Sequence, residues 1–202
     1  MPRAIDTPHG PARVHLDTVD GARAALVLGH GAGGGVDAPD LLAARDAALE
    51  ERVAVARVEQ PYRVAGRRSS PRAPVLDAAW TAVVERLVAG ELAGLPLVAG
   101  GRSAGARVAC RTAAATDAAA VLCLAFPLVP PQRGQKPPPS RLDELDAVAA
   151  PVLVVQGDRD RFGMPPPGAH REVVVVPGDH GLKKDLGAVR AAVRDWLAAL
   201  LR

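Results

Sequence analysis

The sequence predicts an α/β domain with a mostly parallel sheet of about seven strands and helices on both faces. Short apolar runs alternate with longer segments whose apolar residues recur at helical spacing. The internal runs are apolar at successive positions, which is typical of parallel strands that are buried on both faces. The length of 202 residues suits one domain, residues 1–202, with no internal repeat and no linker.

Seven segments are predicted as strands. The first alternates apolar and polar residues, and the others are more uniformly apolar: residues 11–19, 24–29, 53–58, 96–99, 120–126, 151–156 and 173–176. The predicted helices are residues 39–52, 74–90, 104–115, 142–149 and 188–201. Polar segments with proline and glycine, residues 60–73 and 127–140, are predicted as loops, so no segment remains for a helical lid.

Composition limits the core and the partners. Aromatic residues make up 2% of the chain, so the core must be built from valine, leucine and alanine. The net charge is +3 and the arginines are scattered, which disfavours nucleic acid as a partner. Residues 118–129, the longest apolar run, are too few to span a bilayer, and residues 1–10 lack the apolar core of a signal peptide. We therefore expect a cytoplasmic protein without membrane partners, in which Cys110 and Cys123 are buried free thiols.

The motif Gly-x-Ser-x-Gly is formed by Gly101, Ser103 and Gly105. A predicted strand precedes it and a predicted helix follows, which is the context in which this motif forms a sharp turn that exposes the serine. Side chains at the flanking glycines would collide with neighbouring backbone, and the helix start supplies free N–H groups. The stretch therefore predicts Ser103 as a nucleophile.

A glycine-rich loop, residues 30–35, follows the predicted strand at 24–29. Its backbone N–H groups could point at a developing oxyanion. Gly29, Gly31 and Gly34 also match the dinucleotide pattern G-x-G-x-x-G. Glu59, at the end of the next predicted strand, lies farther along the chain than the acidic residue of that pattern, which disfavours a dinucleotide.

Two more loops follow predicted strands and carry ionisable residues. Residues 157–163 contain Asp158 and Asp160, either of which could orient a histidine, although an Asp-rich turn is common without function. Residues 177–181 contain His180. The chain order of serine, acid and histidine, with a glycine-rich loop before the serine, is one of the known orders of a catalytic triad.

With these motifs the chain resembles small serine α/β-hydrolases related to dienelactone hydrolases. More narrowly, it is similar to the subgroup that contains the hydrolase-like domain of a subunit of the nonspecific-lethal histone acetyltransferase complex. The matching stretches are residues 30–34, 100–107, 126–131, 151–163 and 178–183. The resemblance implies a single-domain α/β-hydrolase fold without a large lid.

The resemblance also implies site residues: Ser103 as nucleophile, Asp160 as acid and His180 as base. It places the oxyanion-binding N–H groups on Ala32 and Ala104, and it implies neither a cofactor nor a metal. Gly181 stands where the subgroup tends to have serine, which leaves the surroundings of the histidine open. Dienelactone hydrolases proper use a cysteine nucleophile, so their substrate is not carried over.

We expect the site to be shallow, with a cationic edge that favours short or anionic acyl groups. The cations near it are Arg102, Arg107, Arg133, Lys136 and Arg141, although all could simply be solvated. Candidate substrate contacts are His30, Arg102, Phe126, Lys136, Arg141 and Phe162. The expected reaction is hydrolysis of an ester or thioester of a small-molecule acyl substrate. The alternative is a non-catalytic protein of the same fold that serves protein contacts. The sequence leaves the oligomeric state open.

Overall fold

The computed structural model describes residues 2–130 and 139–202, which contain an eight-stranded sheet. Its strands are Arg3–Ile5 (β1), Ala12–Asp17 (β2), Ala24–Gly29 (β3), Val53–Glu59 (β4), Leu97–Arg102 (β5), Ala120–Leu124 (β6), Val152–Gly157 (β7) and Arg171–Val176 (β8). Their order in the sheet is β1-β2-β4-β3-β5-β6-β7-β8. The predicted α/β class is confirmed. The strand count exceeds the prediction by one because β1 has three residues, too few for a periodic pattern.

Six neighbouring strands, from β4 to β8 across the sheet, run parallel, whereas β1 and β2 form an antiparallel edge. Strands β3 and β5 are adjacent although α1 and β4 separate them in the chain, and Gly29 is the register partner of Gly101. The carboxyl ends of the parallel strands therefore meet at one edge of the sheet. Ligands bind at this edge in open α/β sheets.

The helices are Pro39–Glu50 (α1), Pro61–Val64 (α2), Ala73–Val88 (α3), Ala104–Thr112 (α4), Leu142–Asp146 (α5) and Leu186–Leu200 (α6). Helix α2 was not predicted, since four residues give no helical period. Pro61 opens it at a position where a missing N–H is tolerated, and the preceding Gln60 is extended. The remaining helices lie where the sequence predicts them, with ends shifted by a few residues.

The sheet separates two apolar cores. Helices α1 and α6 cover one face, and α3, α4 and α5 cover the other. Strand β3 shows how one strand serves both: Ala25 and Val27 belong to the core that contains Trp80, and Leu26 and Leu28 belong to the opposite one. Trp80 is fully buried, as its place in the helical stripe predicts.

Cys110 on α4 and Cys123 on β6 are buried free thiols, with their sulfur atoms 3.5 Å apart. The prediction from the sequence is confirmed. Across residues 2–130 and 139–202, none of the helices combines the length and apolar character needed for a bilayer span.

Candidate active site

Ser103 stands at the turn between β5 and α4, with φ 53° and ψ −108°. A positive φ in a non-glycine residue is strained by about 1–3 kcal/mol and persists only when surrounding contacts enforce it. Two hydrogen bonds do so: the Ser103 N–H donates to Leu124 O at 2.9 Å, and the Arg107 N–H donates to Ser103 O at 3.2 Å. The sharp turn predicted from the motif is therefore present.

Three glycines let the turn pack against the neighbouring strand. A Cβ atom on Gly105 would lie 2.2 Å from Gly29 O, and one on Gly101 would lie 2.5 Å from the same oxygen. These separations are far below van der Waals contact, so both motif glycines are required by the close approach of β3. Packing also accounts for Gly29 and Gly31. A Cβ atom added to Gly29 would contact Gly105 on the turn, and one added to Gly31 would contact the Arg102 side chain.

His180 lies between Ser103 and Asp160. Its Nε2 is 2.9 Å from Ser103 Oγ, and its Nδ1 is 2.8 Å from Asp160 Oδ2. The Asp160 side chain is fully buried, whereas His180 keeps 19% of its side-chain surface exposed. The three side chains thus form one continuous chain of hydrogen bonds that reaches solvent at the serine end.

Gln156, at the end of β7, holds the Asp160 carboxylate. Its amide Nε2 donates to Asp160 Oδ2 at 2.8 Å and to the carbonyls of Gly163 and Phe126 at 2.9 and 3.1 Å. The Phe162 N–H donates to Asp160 Oδ1 at 2.9 Å. Both carboxylate oxygens are therefore engaged, which fixes the plane in which His180 binds.

Asp158 has a different role. Its Oδ1 accepts the Gly178 N–H at 2.7 Å, and this hydrogen bond lowers the pKa of the Asp158 carboxyl below its ordinary value. The side chain ties the turn after β7 to the turn after β8. Of the two aspartates that the sequence leaves as alternatives, Asp160 is the one that contacts His180.

Phe162, which the sequence analysis names as a candidate substrate contact, lies against His180. Its ring packs edge-on against the His180 imidazole, with centroids 4.4 Å apart, and Arg161 lies over the ring at 4.9 Å. The contact limits the rotation of the imidazole and covers one side of it. Phe162 therefore borders the hydrogen-bonded group of Ser103, His180 and Asp160.

His30 does not face the site, contrary to expectation. It is buried, its Nε2 accepts the Gln60 N–H at 3.1 Å, and its Nδ1 lies 2.8 Å from Gly31 O. Because a backbone N–H occupies Nε2, the ring proton must be on Nδ1, where it donates to Gly31 O. Burial lowers the pKa of His30, which favours this neutral form. The residue holds the glycine-rich loop instead of contacting a substrate.

The same loop carries Ala32, which the family resemblance assigns to the oxyanion hole together with Ala104. Tyr62 on α2 donates its hydroxyl to Ala32 O at 2.8 Å, and burial raises the Tyr62 pKa, so the hydroxyl stays protonated. Across the described parts of the chain, neither the Ala32 nor the Ala104 N–H has an internal acceptor. Both amides are therefore available to a ligand next to Ser103.

Arg102, next to Ser103 in the chain, is engaged inside the protein. Its Nε lies 2.8 Å from Asp40 Oδ2 on α1, and its Nη2 donates to His180 O at 2.9 Å. Asp40 is buried, which raises its pKa, while the charge of Arg102 opposes the shift. Arg102 thus joins the first turn of α1 to the loop that carries His180.

The expected cationic edge is largely used for structure. Arg107 pairs with Glu144 on α5, and Arg141 donates to Pro127 O at 3.0 Å. Burial works to raise the pKa of Glu144, but hydrogen bonds and charge from Arg107 and Arg111 outweigh it and lower that pKa. Phe126 is fully buried, so it is not available to a substrate. Arg133 and Lys136 lie outside the described residues.

Other cations border His180. A cleft of about 320 Å³ beside His180 is lined by Arg159, Arg161 and Lys183. In the described part of the chain, no group of three or more histidine, cysteine, aspartate or glutamate side chains is arranged to hold a metal ion.

A family model described as "Alpha/beta hydrolase domain" matches residues 22–185. The match covers most of the chain and includes Ser103, Asp160 and His180. The chain belongs to the alpha/beta hydrolase family. No sequence among the curated proteins matches this alpha/beta hydrolase.

Solved structures with the same fold extend over nearly the whole alpha/beta hydrolase. An alpha-beta serine hydrolase homologue from Coxiella burnetii superposes with a TM-score of 0.78 at 18% identity, over 98% of this chain and 97% of that one. A serine hydrolase without lid from Xanthomonas campestris gives 0.73 at 23% identity, over 97% and 94%. Dienelactone hydrolase from Anabaena variabilis gives 0.76 at 17% identity, over 100% and 99%. At these identities the similarities show the fold.

Sequence reasoning missed Gln156 and Tyr62, which position the site of this alpha/beta hydrolase. Gln156 interrupts an apolar strand and is fully buried, so a buried amide in an apolar run was the available signal. Tyr62 is the only tyrosine of the chain and lies in a segment predicted as loop. Neither sequence feature identifies the hydrogen-bond partner of the residue, because the partner atoms come from other segments of the chain.

Proposed function

We propose that this alpha/beta hydrolase is a serine hydrolase that cleaves an ester or thioester of a small-molecule acyl substrate through an acyl-enzyme. The observation that carries the proposal is the hydrogen-bonded chain from Ser103 Oγ through His180 to Asp160, with separations of 2.9 and 2.8 Å. These distances lie in the range that proton transfer to a general base requires. The strained backbone of Ser103 places its oxygen at the carboxyl edge of the sheet.

In the proposed reaction Ser103 Oγ attacks the acyl carbon while its proton passes to His180 Nε2. The carbonyl π-electrons move onto the oxygen, which the N–H groups of Ala32 and Ala104 stabilise. When the tetrahedral intermediate collapses, the bond to the leaving group breaks, and His180 returns the proton to that group. A water molecule then repeats the sequence on the acyl-serine and releases the acid. Asp160 holds the Nδ1–H tautomer and stabilises the imidazolium.

An ester or thioester fits this arrangement better than an amide. Thiolates and alkoxides are better leaving groups than amide anions, so an amide depends much more strongly than an ester or thioester on proton donation by His180 before the bond breaks. Proteins with similar structures include an esterase from Pyrobaculum calidifontis and an esterase domain from Rhodothermus marinus. Their names agree with the proposed class of substrate.

The narrower relationship to the histone acetyltransferase subunit subgroup is part of the proposal. Its support is the sequence of two stretches: Arg102 stands directly before the serine, and residues 126–128 read Phe-Pro-Leu. The cytoplasmic location and the absence of nucleic-acid and membrane partners stay predictions from the sequence.

The proposal is tested by labelling the purified protein with a fluorophosphonate and mapping the adduct. We expect one adduct, on Ser103, and a loss of ester hydrolysis by about 10⁶ in kcat for Ser103→Ala. Ser140→Ala serves as the matched control because that serine is exposed and lines neither the cleft beside His180 nor the one beside Tyr62. If the wild-type protein is neither labelled nor active, the result would instead favour the alternative, a non-catalytic protein that uses this fold for protein contacts.

A further inference from the structure

A cleft of about 490 Å³ opens at the edge of the sheet that carries Ser103. Its walls come from the turn between β1 and β2, the segment after β4, and the start of α3. Strand β2 is antiparallel to β4, and Arg13 is the register partner of Glu59. The β1–β2 turn, with His9, therefore lies beside the carboxyl end of β4. This geometry places the mouth of the cleft at the ligand-binding edge.

Two residues of the inner wall also hold the oxyanion loop. Tyr62 donates its hydroxyl to Ala32 O, and Gln60 donates its N–H to His30 Nε2. The same two residues line a void of about 10 Å³ beside Ala104. Gln60 and Tyr62 therefore border both the cleft and the space beside Ala104.

The lining combines an apolar floor with a rim of hydrogen-bond donors. Pro61, Val75 and Ala79 supply apolar surface, while Arg67 and Ser70 lie at the polar end. No carboxylate is found among the described residues that line it. The lining therefore suits an apolar chain that ends in an anion.

The cleft lies on the acyl side of the reaction. The leaving group must be within reach of His180 Nε2, since this atom returns the proton. The residues around His180 line a different cleft, with Arg159 and Lys183, whereas Tyr62, in the wall of the 490 Å³ cleft, is hydrogen-bonded to Ala32 O. A substrate that places its leaving group at His180 and its carbonyl oxygen at Ala32 directs its acyl arm towards Tyr62.

We propose that the cleft between Tyr62 and Arg67 binds the acyl arm of the substrate, and that this arm is an apolar chain ending in a carboxylate. The inference rests on the proposed hydrolase activity and names the class of acyl group. The apolar middle of the chain lies on Val75 and Ala79, and its terminal carboxylate meets the guanidinium of Arg67 and the hydroxyl of Ser70.

The test compares two p-nitrophenyl esters with the same leaving group and the same acyl length, the adipic half-ester and the hexanoate. We expect the wild-type kcat/KM to be at least tenfold higher for the adipic half-ester. Arg67→Gln should reduce this ratio at least fivefold. Arg68→Gln is the matched control, since Arg68 is the exposed neighbour and does not line the cleft.

A second pair of variants tests the floor. Val75→Phe fills the cleft from the first turn of α3 and should lower kcat/KM for both long esters at least tenfold. Ala78→Phe, on the exposed side of the same helix, should change neither value. Adipate itself should inhibit competitively. Thermal unfolding of every variant checks that it is folded. If Val75→Phe does not fold, Arg67→Gln still tests the inference, because Arg67 is exposed and its replacement should not disturb the fold.

Three outcomes would overturn the inference. One is equal kcat/KM for the two esters in a protein whose Ser103 reacts with fluorophosphonate, which leaves the hydrolase function intact. Another is loss of the preference in Arg161→Gln but not in Arg67→Gln, which would place the anion beside His180. The third is noncompetitive inhibition by adipate, which would separate the cleft from the reaction. A protein without fluorophosphonate labelling would instead contradict the proposed function.

Discussion

Asp160 Oδ2 lies 2.8 Å from His180 Nδ1, whereas Asp158, on the same turn, directs its carboxylate to the Gly178 N–H. The two aspartates therefore have different roles, although the residues of the turn alone leave either one as a candidate partner of the histidine. One orients the imidazole, and the other connects two loops.

This division gives the first prediction. Asp160→Asn should lower kcat by about 10⁴, because the amide favours the wrong imidazole tautomer and cannot stabilise the imidazolium. Asp158→Asn should stay within a few-fold of wild type, since its amide oxygen can still accept the Gly178 N–H. Steady-state kinetics on one activated ester measure both. A larger loss in Asp158→Asn than in Asp160→Asn would reverse the assignment.

The glycines of the turn at Ser103 give a prediction on stability. Gly105→Ala would bring a Cβ atom within 2.2 Å of Gly29 O, so β3 and α4 must separate. We expect a loss of about 3 kcal/mol in the free energy of unfolding, at the upper end for an overpacked core. Gly35→Ala is the control, because its Cβ would meet no atom within 4 Å. Denaturant titration of both proteins measures the loss, and equal stability of the two variants would show that β3 and α4 can move apart at little cost.

Much of the fold and the order of the proposed triad could be predicted because they depend on local patterns. Apolar runs mark the strands, and Ser103 and His180 each follow one of them. The contacts that position these residues could not be predicted, since they join distant parts of the chain. In the sequence Gln156 is one polar residue in a strand. Its role in holding the Asp160 carboxylate depends on the turn that brings Asp160 back to it.

The cations show a second limit. Arg102 and Arg107 lie close to Ser103 in the sequence, which is why they are expected at the cationic edge of the site. Their partners, Asp40 and Glu144, come from helices whose position depends on the packing of the whole sheet. A charge close to the nucleophile in sequence is therefore a weak guide to substrate charge. The same holds for His30, whose two ring nitrogens are satisfied within the protein.

His30 yields a prediction on pH. Burial lowers its pKa from the ordinary value of 6.5, so the unfolded state binds more protons in the acidic range. The stabilising effect of neutral His30 is therefore present above about pH 6.5 and is lost as the pH falls through the folded pKa. The free energy of unfolding should drop between about pH 7.5 and about pH 5.5.

The variant His30→Gln should show a smaller drop over the same interval, because glutamine does not titrate. His170→Gln, an exposed histidine, serves as the control and should keep the wild-type drop. Urea titrations at the two pH values measure the difference. An unchanged drop in His30→Gln would mean that His30 is not the group responsible.

The pair of Arg102 and Asp40 gives the last prediction, which separates a structural arginine from a substrate contact. Arg102→Leu leaves the buried Asp40 carboxylate without its partner, which should cost about 3 kcal/mol in the free energy of unfolding. Replacing both residues by leucine should cost less than the sum of the two single changes. Without Arg102 the pKa of Asp40 rises further, so the destabilisation of Arg102→Leu should grow as the pH rises from about 5 to about 8. Additive effects in the denaturant cycle, with no dependence on pH, would show that the two residues act independently and would return Arg102 to the substrate.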